Sequence, residues 1–300
     1  MHVFVTGATG LIGGAVCAEL VRAGHRVTAL SRSASPEGRP AGAQFVQGDP
    51  AVGGSWQEAL AACDACVHLA GEPVAAGRWT AARKRSIGQS RLEATRRVVE
   101  VVASRGPSVL VSGSAVGYYG AHGDEPLDEA SPPGDGFLAG VCKEWEAAAL
   151  TAATRVRVVA VRTGLLLARD GGALPRMLTP FRFFAGGPIG KGEFWQSWIH
   201  LADEVGMIVW ALGNPAVAGP LNATAPVPVK NRDLALAIGR ALRRPSVLPV
   251  PPLALKLVFG ELSTAIATGQ RVLPKKALEL GFRFRFPGID PALRDLLTSG

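Results

Sequence analysis

Three glycines recur at three-residue intervals near the start of the chain, in Thr6-Gly7-Ala8-Thr9-Gly10-Leu11-Ile12-Gly13. An apolar run, Val3-Phe4-Val5, precedes them, and a helical pattern from Leu11 to Ala23 follows, closed by Gly24. Strand, glycine turn and helix start together form a pyrophosphate cradle. Glycine lets the backbone approach the anion, and the unpaired N–H groups of the first helical turn carry positive potential. Gly7, Thr9, Gly10, Leu11, Ile12 and Gly13 are therefore the expected phosphate-side residues of a dinucleotide site.

The end of the next strand, Arg26 to Leu30, selects which dinucleotide. A carboxylate there accepts the ribose hydroxyls of NAD and repels a 2′-phosphate. This chain has Leu30-Ser31-Arg32-Ser33 instead. Arg32 can pair with a 2′-phosphate, and Ser31 or Ser33 can donate a hydrogen bond. The expected cofactor is NADP(H) in preference to NAD(H). After the third strand, Gln44 to Val46, Asp49 is placed either to read an adenine amino group or to close a turn. Leu69, Ala70, Gly71 and Glu72 end the fourth strand, where small residues would lie beside the cofactor's sugars. Glu72 there could act as an acid or base.

These residues need elements to hold them. Besides the first three strands, apolar runs at Ala65 to Leu69, Ser108 to Val111 and Val156 to Val161 read as strands. Helical patterns cover Trp56 to Ala62, Thr80 to Ser104 and Lys143 to Ala153. Strands alternating with helices imply βαβ units, right-handed crossovers and a doubly wound parallel α/β sheet. The second half is less regular, with helices at Leu201 to Leu212, Asn231 to Leu242 and Pro274 to Leu280, and a short strand at Leu221-Asn222-Ala223. The chain has 300 residues, 48% hydrophobic and 19% charged, enough for a large core without staples. No apolar run is long enough to span a bilayer, and the first residues lack a secretory leader pattern, so a cytoplasmic protein is expected. Four cysteines make no disulfide scaffold. Cys63 and Cys66 read as core rather than redox positions, and no metal-ligand spacing occurs.

Taken as a set, further motifs resemble the extended short-chain dehydrogenase/reductase superfamily. They include Leu69-Ala70-Gly71-Glu72-Pro73, Ser90-Arg91, Ser112-Gly113-Ser114-Ala115-Val116-Gly117-Tyr118-Tyr119-Gly120, Arg162-Thr163-Gly164 and Ser197-Trp198-Ile199-His200. Asn222-Ala223-Thr224-Ala225-Pro226 and Pro274-Lys275-Lys276 extend the likeness over nearly the whole chain. It is similar to the epimerase-like subgroup of the NAD-dependent epimerase/dehydratase family, some members of which are labelled cell-division inhibitors. The resemblance implies a Rossmann domain over 1–163 with a return segment near 197–226. It also implies a smaller α+β substrate domain from 164–196 and 227–300.

The superfamily's chemistry uses a serine after the fifth strand and a Tyr-x-x-x-Lys about 25 residues later. The tyrosine exchanges a proton with the substrate oxygen, and the lysine holds the nicotinamide ribose. Ser114 matches the serine. The only tyrosines are Tyr118 and Tyr119, so the Tyr-x-x-x-Lys is missing. Tyr118 or Tyr119 could supply the phenol from another loop, with Tyr118 taken as the proton donor, and Lys143 could supply the cation. Ser112 and Arg162 are expected beside the cofactor or the domain junction, with an ion pair as the other reading of Arg162. Tyr119, Gln196, Trp198 and His200 are expected on the substrate side.

Two functions from different classes remain. One is an NADP(H)-dependent oxidoreductase or epimerase acting on a carbonyl, hydroxyl or nucleotide-sugar-like anion. The other is a dinucleotide-binding sensor or interaction protein with reduced catalysis. The net charge of +8 falls entirely in residues 161–300, with 17 Lys and Arg against 9 Asp and Glu. That bias points to an anionic small-molecule substrate rather than to nucleic acid. Neither a nucleic-acid nor a membrane partner is expected, and a homodimer is compatible with the reading.

Overall fold

The computed structural model describes residues 1–34 and 41–298. Seven strands form one parallel sheet: β1 (His2–Thr6), β2 (Arg26–Ser31), β3 (Gln44–Gln47), β4 (Ala65–His68), β5 (Val109–Ala115), β6 (Arg157–Thr163) and β7 (Gly219–Ala223). Their spatial order is β3-β2-β1-β4-β5-β6-β7, and every neighbouring pair is parallel. Such a sheet is covered on both faces, so its strands read as unbroken apolar runs: all four residues of β4 are buried. The chain winds outward from β1 to β3, then restarts at β4 on the other side of β1. Open α/β sheets bind ligands at the carboxyl edge of that switch point.

The helices α1 (Leu11–Arg22), α2 (Trp56–Ala61), α3 (Ala81–Ser104), α4 (Phe137–Leu150), α5 (Leu174–Arg182) and α6 (Leu201–Gly213) follow in chain order. They alternate with or follow the strands. On one face Val16, Cys17 and Leu20 of α1 and Met207 and Ile208 of α6 pack on Val5, Val67 and Val111. On the other face Val98 and Val102 of α3 and Ala149 of α4 pack with Trp56 and Leu60 on Phe4 and Leu110. The doubly wound reading therefore holds.

Helix α4 starts at Phe137, six residues earlier than the sequence pattern suggested, and its last part is a separate 3-10 turn, Thr151–Thr154. Its inward face carries Ala139, Cys142, Trp145, Glu146 and Ala149. Only β7 of the return segment joins the large sheet. Trp198–His200 pairs instead with Leu165–Ala168, which also pairs with Gly171–Gly172.

A second apolar core gathers Leu174 and Leu178 of α5, Trp198, Leu234 and Ile238 of α7 (Asn231–Leu242), and Ala292 and Leu293 near the C-terminus. Gly171 presses on α1: a Cβ there would lie 2.8 Å from Leu11 Cδ2. The short strands of the second half thus reach the start of the glycine-turn helix.

Candidate functional site

The phosphate loop is built by close backbone contacts. Gly7 has φ +68°, and a Cβ on it would fall 2.8 Å from the Leu69 carbonyl carbon at the end of β4. A Cβ on Gly13 would lie 2.2 Å from the Gly7 carbonyl oxygen. Gly10 is the N-cap of α1 and donates its own N–H to Gly7 O at 2.9 Å. No side chain caps α1, and its first turn has no acidic residue. The helix start therefore keeps its positive end for an anion. These features fit the diphosphate of a dinucleotide; Gly7, Thr9, Gly10, Leu11, Ile12 and Gly13 make up this turn and the start of α1.

Beneath the loop lies a buried polar chain that the sequence reading missed. His68 ends β4 and is fully buried. Its Nδ1 is 2.7 Å from Thr6 Oγ1, and its Nε2 is 3.0 Å from Thr95 Oγ1 on α3. Thr95 donates its proton to the Arg91 carbonyl at 2.7 Å. So His68 Nε2–H must donate to Thr95, and the bare Nδ1 accepts from Thr6. Thr6 Oγ1 in turn accepts the Leu69 and Ala70 amides at 3.2 and 3.3 Å. Burial, with the nearby Arg91 charge, pushes the His68 pKa down to about 4. A neutral imidazole thus pins the carboxyl ends of β1 and β4 to α3.

Ser31 ends β2 and Arg32 follows it. Ser31 is buried and its Oγ accepts the Ser33 amide at 3.1 Å, while Arg32 is exposed. No carboxylate occurs between Ser31 and Ala34. Asp49 Oδ1 accepts the Ala51 amide at 2.9 Å, which is the turn-closing alternative. Leu69 and Ala70 line the switch-point crevice beside Gly7. Glu72 is paired with Arg83 at 3.2 Å, so its carboxylate is already engaged.

At the edge of β5 the arrangement differs from expectation. Ser114 donates to Glu146 Oε1 on α4 at 2.6 Å. Arg162 on β6 forks onto both oxygens of Glu146 at 2.8 Å and donates to the Tyr119 hydroxyl at 2.8 Å. Tyr119 donates to Asn222 Oδ1 on β7 at 2.7 Å. Ser114, Glu146, Arg162 and Tyr119 are all buried, and Tyr119 has no exposed surface. Burial holds the Tyr119 phenol up at about 12. Arg162 is therefore an ion-pair partner, not a cofactor contact, and Tyr119 is core rather than a substrate contact. Ser112 has no exposed surface either, so it offers no cofactor contact from the surface.

Other expectations are corrected in the same way. Lys143 is exposed, because α4 turns Ala139, Cys142, Trp145, Glu146 and Ala149 inward. Trp198 has no exposed surface and donates its indole N–H to Val227 O at 3.0 Å. His200 is the N-cap of α6: Nδ1 accepts the Ala202 amide, Nε2 faces Asp295 at 3.3 Å, and the ring stacks on Phe286 at 4.0 Å. It docks the C-terminal segment. Gln196 is half-buried beside Trp195.

Tyr118 stays at the edge. It is half-exposed in the turn after β5, and the Arg162 guanidinium lies over its ring, 3.5 Å from the centroid. Its hydroxyl makes no protein hydrogen bond among the described residues. Gln270 Nε2 donates to Val116 O at 2.7 Å, two residues before Tyr118. Arg271 is half-buried over the Trp195 ring at 5.0 Å, and its Nε has no partner among the described residues. The sequence reading did not single out Arg271; a lone basic residue in a two-residue strand gives no periodic signal.

A model of the NAD dependent epimerase/dehydratase family matches residues 3–223. The chain belongs to that family. A second model, Domain of unknown function (DUF1731), matches residues 250–296. The chain is 43% identical over 302 residues to the Arabidopsis thaliana epimerase family protein SDR39U1 homolog, chloroplastic, covering 99% of this chain and 87% of that one. The crystal structure of human epimerase family protein SDR39U1 (isoform2) with NADPH superposes with a TM-score of 0.88 at 34% identity, covering 100% of both chains. A nucleoside-diphosphate sugar epimerase from Corynebacterium glutamicum superposes with a TM-score of 0.80 at 34% identity, covering 99% of this chain and 58% of that one.

Proposed function

We propose that this family member binds NADP(H) and moves a hydride to or from a small anionic carbonyl or hydroxyl compound. The observation that carries the reading is the uncapped start of α1 beside a β2 end that has Arg32 and no carboxylate. The NADPH held by the human relative supports it. Gly7, Gly10 and Gly13 would receive the diphosphate, and Arg32 the 2′-phosphate.

When bound, the dinucleotide supplies or accepts the hydride at its nicotinamide ring. The Tyr118 hydroxyl gives a proton to the developing substrate alkoxide in reduction and takes it back in oxidation. Arg162 beneath the ring fixes that phenol's orientation through the Glu146 pair. Arg271, stacked on Trp195, holds the substrate's anionic group. In an epimerisation the same proton exchange serves both directions.

A second reading, a dinucleotide sensor without turnover, is favoured by two features. Ser114 spends its proton on Glu146, and Lys143 faces away. Tyr118→Phe separates the two readings, assayed with NADPH and a panel of carbonyl and nucleotide-sugar compounds. The enzyme reading expects turnover to fall by at least about 100-fold with NADPH affinity unchanged. Turnover unchanged in the variant removes Tyr118, and tight NADPH binding with no turnover by wild type favours the sensor.

A further inference from the structure

The loop after β4, residues 71–80, is braced at its base and gripped at its tip. At the base the Glu72 amide donates to Ser90 Oγ at 3.2 Å, and Arg83 donates to Glu72 Oε2 at 3.2 Å and to the Pro73 carbonyl. Trp79 donates its indole N–H to Val74 O at 3.0 Å and packs edge-on against Phe137 at the start of α4, with ring centroids 5.1 Å apart.

The second half of the chain reaches this loop from two sides. Arg176, in the first turn of α5, donates to Ala75 O at 2.8 Å. Helix α5 starts just after Gly171, which is seated on Leu11 of α1. Arg176 therefore joins the two walls of the phosphate crevice, the α1 start and the chain leaving β4. From the other side, Arg78 donates to Leu257 O of α8 (Pro252–Phe259). Lys84, in the first turn of α3, pairs with Glu261, just before α9 (Leu262–Ile266).

Residues 251–268 form an arm anchored at both ends. At the near end the Val250 amide donates to Pro188 O at 2.7 Å, and the Gly190 amide to Val250 O at 3.0 Å. At the far end the His122 amide donates to Gly269 O at 3.0 Å, and Ser197 Oγ to Gln270 O at 2.7 Å. Between the anchors α8 buries little. Leu253 and Leu257 are each 67% exposed, and none of the described α8 side chains is buried. The links from this arm to the loop and to α3 are polar ones, through Arg78 and Lys84. An element with few buried apolar contacts opens at low free energy. Polar latches that join such an arm to the edge of a ligand crevice are the parts of a lid.

We propose that the arm at 251–268 closes on the loop at 71–80 over the bound dinucleotide, and that the Lys84–Glu261 pair is a latch that must open for the cofactor to enter and leave. This rests on the reading of the phosphate loop as an NADP(H) site. Pro249, Pro251 and Pro252 stiffen the near anchor, so opening turns the arm about Val250 rather than unravelling it. Arg176 keeps the opposite side of the loop in place meanwhile.

Stopped-flow fluorescence on the full chain reads NADPH entry, and displacement by excess NADP+ reads its exit. Glu261→Lys and Lys84→Glu each replace an exposed attraction by a repulsion. Each is expected to speed both entry and exit by at least about threefold, with Kd within about twofold, because a latch changes the path and not the bound contacts. The two variants change the net charge in opposite directions, so a shared acceleration excludes electrostatic steering of the anionic nucleotide. The double variant with both substitutions restores the pair and should return both rates to within about 1.5-fold of wild type. A change in one rate alone would mean an altered contact or steering rather than a latch, and would overturn the proposal. Unchanged rates in the single variants, or no recovery in the double variant, would overturn it as well. A wild type that does not bind NADPH instead overturns the cofactor reading itself, and this inference with it.

Discussion

Replacing His68 with leucine tests whether a neutral imidazole holds the phosphate loop in place. Leucine removes the acceptor of the Thr6 hydroxyl, which is buried and has no other acceptor in the chain described above. Stranding one buried donor costs about 1–3 kcal/mol. The wild type carries an opposing, pH-dependent contribution. Its folded His68 pKa of about 4 lies below the ordinary 6.5, so the unfolded chain binds more protons between those values. The stability that the neutral ring contributes is complete above pH 6.5 and is lost as pH falls toward 4. At pH 5 the loss is about 2 kcal/mol, and at pH 4 about 3 kcal/mol. The assay is urea unfolding of both proteins at pH 7.5, 6 and 5, with slopes compared to exclude a change in the unfolded state. At pH 7.5 the wild type should be the more stable by about 1–3 kcal/mol, and by pH 5 the difference should shrink to about zero or reverse. A difference that stays constant over this range would refute both the tautomer and the buried neutral state.

Other consequences are quicker to check. Gly13→Ala places a methyl against the Gly7 carbonyl, so the loop must shift; NADPH affinity should fall by at least about tenfold in a titration while the far-UV spectrum is kept. Glu204 on α6 is fully buried, receives one bond from Thr163 at 2.7 Å, and is pushed up to about 8 by burial. A raised carboxyl pKa is a cost that grows as pH rises from 4.5 to 8, so Glu204→Gln should stabilise the fold by about 4 kcal/mol at pH 8 and by almost nothing at pH 4.5. Thermal unfolding at the two pH values reads this directly, and a pH-independent effect contradicts it.

The parts of this molecule that local sequence controls are legible in the sequence alone. The glycine spacing after Val3-Phe4-Val5 sets a turn within eight residues, and continuous apolar runs require a sheet covered on both faces. The polar residues around the end of β5 were not legible in the same way. Ser114, Glu146, Arg162, Tyr119 and Asn222 come from four strands and helices and the turn after β5, and meet only once the strand order is built. In sequence, the members of a buried ion-pair chain look like catalytic candidates. Lys143 shows how helical phase is lost: an early start at Phe137 does not change the period, but the inward face runs through Ala139, Cys142 and Glu146 and leaves position 143 outside. His68 was hidden because a histidine inside an apolar strand reads as core, and its partners Thr6 and Thr95 are 62 and 27 residues away.

The central claim is that the α1 start and the β2 end together form an NADP(H) site. The most direct measurement is the affinity of the wild type and Arg32→Asp for NADPH and NADH, under identical salt. The wild type should bind NADPH more tightly, and Arg32→Asp should weaken NADPH by about tenfold or more while leaving NADH within about twofold. Equal loss for both nucleotides, or a wild type that prefers NADH, would contradict the account.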